Sequence, residues 1–201
     1  MADQRREPLE ADRMSDVDTL NPQHSSATNE HYTPIEIIEA ARATMGGIDL
    51  DPATTTSVNE NRVKAAAFFT KRDAALCRSW SGRVWLNPPG GRAPGNKSSA
   101  ALWWAKLAEE YDAGRVVEAV FLGFTLEILA TSQDARVWPG DLPFCIPRKR
   151  IEFVREVEAG VFVKGDSPTH SNVIVYLPRR DRGTGVHRFA AAFGKFGKVA
   201  R

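Results

Sequence analysis

With 201 residues, 42% of them hydrophobic and 26% charged, the chain suits one globular domain with a sizeable core plus a tail, and it is too short for a second full domain. Two cysteines, a polar and acidic N-terminus and no apolar run near the roughly 18 residues of a membrane span argue against a disulfide scaffold, a secreted protein and a membrane partner, and predict a reduced, cytoplasmic one. The net charge of +2 conceals an asymmetry: residues 1–31 hold seven acids against three bases, whereas residues 145–201 hold twelve bases against five acids. The basic end can face phosphate or simply form a solvated surface.

Residues 1–30 lack periodic apolar positions and are expected to form a disordered tail ahead of a domain over 31–201. The domain opens at His31-Tyr32-Thr33-Pro34-Ile35-Glu36, where Thr33 reads as an N-cap, Pro34 as the first helical residue and Glu36 as the returning partner of a capping box. Ile35, Ile38, Ala41 and Met45 recur at helical spacing, and Gly46-Gly47 stop the helix. Gly47 to Ala53 then reads as a short strand ending in Asp51-Pro52-Ala53. Acids at the carboxyl end of a strand in an open α/β sheet lie where ligands bind, although Asp51 could equally cap a turn. Asn59 to Phe69 is helix-like, Phe68-Phe69-Thr70 can open a strand, and Asp73, Leu76 and Trp80 lead into the next element.

That element is Arg83-Val84-Trp85-Leu86, an apolar run stopped by Asn87-Pro88-Pro89-Gly90-Gly91. Two prolines fix φ near −65° and remove two backbone donors, so the loop presents acceptors around the Asn87 amide. An exocyclic amine carries two N–H groups. The Asn87 side-chain oxygen and the Pro88 carbonyl can accept one each, while the same letters also make an ordinary strand-closing turn.

Beyond the loop, Arg92 to Ser99 is a polar connection in which Ser98 or Ser99 can cap a helix. Ala101, Trp104, Ala105, Ala108 and Tyr111 form an apolar face ended by Gly114. Trp103 falls off that face, so it either packs in the core or reaches the cleft. Val116 to Phe124 fits a central strand and Thr125 to Gln133 a helix. Cys145 reads as a small buried hydrophobe, and Arg148-Lys149-Arg150 follow it as three consecutive bases. Residues 167–172 read as a turn whose His170 can touch substrate or, lacking a metal-spaced partner, hydrogen-bond locally; Val173 to Leu177 reads as a strand closed by Pro178, and a basic tail begins at about residue 179. There is neither an internal repeat nor a zinc spacing.

The ordered set Tyr32-Thr33-Pro34, Ile48-Asp49-Leu50-Asp51-Pro52-Ala53, Asn59, Asp73, Leu76, Trp80 and Val84-Trp85-Leu86-Asn87-Pro88-Pro89 resembles the phage and prophage DNA N6-adenine methyltransferases of the phage Dam type, over about residues 30–180. The resemblance implies an α/β fold of the Rossmann-like S-adenosylmethionine-dependent methyltransferase kind, a mostly parallel sheet with helices on both faces. It implies methyl transfer from S-adenosyl-L-methionine to the N6 amine of adenine in DNA, in the cytoplasm of a bacterial host. No obligate protein partner is evident. Cytosine N4, a protein glutamine amide, or a non-catalytic DNA-binding role are the alternatives. Asn87, Pro88 and Pro89 would be catalytic. Tyr32, Thr33 and Pro34 would open the cofactor-binding helix, whose N-terminus suits a carboxylate. Asp51-Pro52-Ala53 would be the first cofactor loop, or Asp49 the acid on the ribose, and Asp73 would accept from the cofactor's adenine amine. The chain departs from the wider pattern in lacking a Gly-x-Gly loop and in placing Gly90 where an aromatic ring usually stacks on the base. Trp103 is the expected substitute, with Arg148, Lys149 and Arg150 on DNA phosphates.

Overall fold

The computed structural model describes residues 31–96, 98–165, 170–181 and 183–200. The expected disorder of 1–30 and the first half of the 167–172 turn lie outside these residues. In chain order the elements are α1 (Ile35–Met45), β1 (Leu50–Asp51), α2 (Thr56–Val58) running into a π-helical turn (Asn59–Val63), β2 (Ala67–Phe68), β3 (Gly82–Leu86) and α3 (Ser99–Asp112). They continue with β4 (Val116–Gly123), α4 (Glu127–Thr131), β5 (Phe144–Pro147), β6 (Val154–Glu158), β7 (Val161–Lys164), β8 (Val173–Leu177), α5 (Gly185–Phe193) and β9 (Gly197–Ala200).

Seven strands form one mixed sheet in the order β2-β1-β3-β4-β8-β5-β9, and β6 pairs with β7 in a separate hairpin. The β2-β1-β3-β4 core is parallel, whereas β8 and β9 run against their neighbours. "Mostly parallel" is therefore corrected to a parallel core with an alternating flank. Because β5 is antiparallel to β8, which is antiparallel to β4, the carboxyl end of β5 lies on the same sheet edge as those of β1 to β4.

Alternation along the central strands divides the core. Trp85, Val120, Leu122, Ile174 and Tyr176 face α1 and α5, where Ile37, Ile38, Ala41, Phe189 and Phe193 cover them. Val84, Leu86, Phe121 and Val175 face α3, which contributes Trp103, Trp104, Leu107, Ala108 and Tyr111. Such near-continuous apolar strands are what burial on both faces requires. The basic tail is corrected over 185–200: α5 packs on α1, Phe189 and Phe193 are fully buried, and β9 closes the sheet edge against β5.

Local chemistry explains the other boundaries. Helix α1 begins one residue later than expected, with Pro34 as N-cap at ψ 143° and no side-chain cap, so the Thr33–Glu36 capping box does not form. Gly46 ends α1 at φ 75°, the left-handed region that glycine enters at no steric cost. The helix foreseen over 59–69 is shorter because Lys64 turns left-handed at φ 51°. There the buried Asn59 accepts from the Ala65 N–H at 2.9 Å and holds the turn. Ser98 caps α3 as expected, accepting from the Ala101 N–H.

Candidate active site at the carboxyl ends of β1 and β3

From β1 the chain moves outward to β2 and then returns past β1 to β3, so the winding direction reverses between β1 and β3. In an open α/β sheet the crevice beyond the carboxyl ends at such a reversal is where ligands bind. Asp51-Pro52-Ala53 leaves β1 there, and Asn87-Pro88-Pro89 leaves β3 there.

Asn87 follows fully buried Leu86 and points to the α1 side of the sheet, where its Nδ2 donates to the His31 carbonyl at 3.5 Å. Its Oδ1 is buried and has no hydrogen-bond partner. Turning the amide over would set two oxygens against each other, so the free end is the acceptor. Two neighbouring polar atoms share that state: His31 Nδ1 and Thr33 Oγ1 are also buried without partners. Buried polar atoms are ordinarily bonded; nine side-chain atoms among the described residues are exceptions, and these three are set apart by lying on two segments joined by the Asn87–His31 contact. Thr33 is held in position by its backbone, whose carbonyl accepts from Arg62 at 3.0 Å. Tyr32 is pinned by a two-way backbone bridge to Val154, with its ring edge-on to Phe162 at 6.1 Å.

Asp51 is 2% exposed, and burial pushes its carboxyl up to about 7 against the opposing hydrogen bond from the Ala53 N–H at 3.1 Å. The folded protein thus keeps a proton that the unfolded chain releases near the ordinary carboxyl value of 3.8. Stability from this group is complete below about pH 4 and is lost as pH rises toward and through about 7. In Asp51→Asn, the fall in Tm between pH 4 and 7 should be visibly flatter than in the wild type; parallel curves would remove Asp51 as its source.

Asp49 is corrected. It lies level with Gly82 and Arg83 at the amino end of the strands, about 13 Å of extended chain before Asn87. Both its oxygens are engaged by Arg83, through the backbone N–H at 2.8 Å, Nε at 2.9 Å and Nη2 at 2.6 Å, which holds its carboxyl below the usual range. Asp73 sits after β2 in a single 3₁₀ turn. Its Oδ2 accepts from Thr70 N and Oγ1, both at 2.7 Å, in a reciprocal capping box that lowers its pKa.

Trp103 is also corrected. It is fully buried on the α3 side of the sheet, its ring 5.8 Å from that of Trp80, and so cannot reach the Asn87 mouth. The half-buried ring that does leave the sheet beside the loop is Phe124. The β3–β4 pairing ends at Leu86 and Phe121, and Phe124, three residues on, stacks on Phe153 at 4.9 Å and 17°. Sequence reasoning missed Phe124 because it ends an apolar strand run that reads as core.

Gly90 is exposed, and a Cβ built on it meets nothing within 4 Å. Its φ lies outside the left-handed region, so an L side chain is tolerated. Gly90→Phe should therefore leave Tm unchanged, which thermal unfolding reads directly; a fall of several degrees would show that position 90 is packed against its surroundings.

Compared with protein-family models, with curated proteins and with solved structures, the chain matches none. The site therefore has to be read from its own chemistry. Arg148, Lys149 and Arg150 are exposed just past β5, on the same sheet edge as Asn87. Cys145 is buried, donates weakly to the Phe193 carbonyl, and has its thiol pushed up to about 11 by burial, which removes it as a nucleophile at neutral pH. A cavity of about 370 Å³ lies at the opposite, amino end of the strands between Arg83, Glu118, Arg179 and Arg188. Each arginine there already faces an acid, Asp49, Asp181 or Glu118.

Proposed function

We propose that the chain is a Rossmann-like, S-adenosylmethionine-dependent DNA methyltransferase acting on the N6 amine of adenine. The observation that carries this reading is the partnerless, buried Asn87 Oδ1 at the winding reversal between β1 and β3. An acceptor fixed in that position beside the Pro88 carbonyl suits a group with two N–H donors. Adenine extruded from the duplex offers such a group.

The residues at the crevice fit the cofactor. Thr33 Oγ1 supplies an unsatisfied polar atom beside the uncapped start of α1, which favours a carboxylate. The turn after β1 adds the Asp51 carboxyl, which a neighbouring positive charge would draw toward its ionised form. When bound, the cofactor supplies an activated methyl group on a sulfonium. The protein's part is to orient. Gripping both amine N–H groups through Asn87 and Pro88 turns the nitrogen lone pair out of the ring, and confinement holds the reacting atoms near 3–3.5 Å. Phe124, stacked on Phe153, offers the base a ring face, and Arg148 to Arg150 offer its phosphates countercharge.

Incubation with methyl-labelled S-adenosylmethionine and unmodified DNA, followed by nucleoside analysis, tests the reading. Label in N6-methyladenosine supports it. Label in N4-methylcytidine keeps the chemistry and changes the base, and unlabelled DNA overturns the assignment.

A further inference from the structure

Methylating an exocyclic amine leaves a proton to be removed, and the loop that grips the amine cannot take it. As the nitrogen lone pair forms the new N–C bond, the S–C bond breaks and its electron pair stays on sulfur. The nitrogen is then left with two hydrogens, a methyl group and a positive charge. Amide and peptide carbonyl oxygens such as those of Asn87 and Pro88 are weak bases that orient the amine without keeping its proton, so a stronger base beside them assists the step. Asp51 opens from the neighbouring strand with its carboxyl tied to its own turn through Ala53 N.

Resting on the function proposed above, we propose that His31 is the proton acceptor, taking the amine proton on Nδ1. Three observations converge on it. Its backbone carbonyl is the group that Asn87 Nδ2 contacts, so the residue adjoins the gripping amide. Its Nδ1 is buried with no partner, which leaves one imidazole nitrogen unpaired inside the protein. Its ring is braced edge-on against buried Phe153 at 6.2 Å, and the next residue is locked to β6 by the Tyr32–Val154 bridge. A buried imidazole nitrogen with no structural bond is costly unless a ligand completes it. In the tautomer with the proton on Nε2, Nδ1 accepts from the amine, and the imidazolium formed afterwards releases its proton to solvent.

The test uses the full chain with S-adenosylhomocysteine, S-adenosylmethionine and an adenine-containing oligonucleotide. With ¹⁵N-labelled histidine, the His31 Nδ1 resonance, assigned by its absence from His31→Gln, should shift when that oligonucleotide and S-adenosylhomocysteine are added together. It should not shift when the base is N6,N6-dimethyladenine, which has no N–H to donate. In parallel, His31→Gln and His31→Phe should lower the single-turnover rate about 100-fold or more. Cofactor affinity by calorimetry and base extrusion reported by 2-aminopurine should stay near wild type. His31→Phe keeps a ring against Phe153, so it guards against a loss caused by packing alone. An unshifted Nδ1, a rate within about threefold of wild type, or a rate loss that tracks lost cofactor binding or lost extrusion each overturns the assignment while leaving the methyltransferase reading intact. A wild-type chain that forms no methylated base overturns both.

Discussion

Asn87→Ala should reduce methyl transfer by at least about 10²- to 10³-fold, the scale on which a preorganised hydrogen-bonding group aimed at a transition state contributes. The expected loss is large because the acceptor is single. Asn87 Oδ1 is the partnerless side-chain oxygen of the loop, and the prolines that follow have no side-chain polar atoms to replace it. The same observation predicts that the variant folds well. Deleting an oxygen without a partner forfeits no protein hydrogen bond, and the one bond given up, from Nδ2 to the His31 carbonyl, is long at 3.5 Å. Cofactor affinity should therefore stay near wild type while the single-turnover rate collapses, the signature of an interaction made chiefly in the transition state. A variant that keeps more than a few per cent of the wild-type rate would remove Asn87 from the chemistry and leave the loop as a turn.

The parts of the fold written in strong local patterns were legible, and those set by tertiary phase were not. Helix α1, the 83–86 and 173–177 strands, the long central strand and the α3 cap each carry a local signal, and each is found within about a residue or two of where the sequence places it. The hairpin β6–β7 is harder to read, because Val154, Val157, Val161, Phe162 and Val163 do not alternate with polar residues and only Ala159-Gly160 marks the turn. Helix α5 spans only Gly185–Phe193, too short for several periods of a pattern to show, and its assignment rests on Phe189 and Phe193 meeting α1 and the sheet. Asp49 and Asp51 illustrate the same limit at the site. Asp49 lies just before β1 and Asp51 at its end, and only the register with β3 reveals that Asp49 is level with Arg83 while Asp51 leads toward the Asn87 edge. The orphaned atoms of His31, Thr33 and Asn87 are invisible in sequence because a missing partner is a three-dimensional fact.

Trp103→Ala should destabilise the protein by about 3–5 kcal/mol, the usual cost of emptying a buried aromatic site. The reasoning starts from helix phase. An apolar face at 101, 104, 105, 108 and 111 leaves Trp103 outside, yet the buried face of α3 runs through 99, 103, 104, 107, 108 and 111, with Ala105 exposed. Leu107 is the residue that decides between the two phases. In the second, Trp103 and Leu107 stand one turn apart on the same stripe, and the indole packs against Trp80, itself fully buried and held by its Nε1 bond to the Ala75 carbonyl at 2.9 Å. Trp103→Phe should cost much less, because the indole Nε1 is buried without a partner and its removal relieves an unsatisfied donor even as some volume is lost. Because α3 covers the sheet face opposite α1, while Asn87 turns toward the α1 side, the molecules of either variant that remain folded should transfer methyl groups at the wild-type rate. Urea unfolding paired with activity per folded molecule separates the two effects. A Trp103→Ala protein that unfolds within about 1 kcal/mol of wild type but loses activity would return the indole to the cleft and overturn this packing.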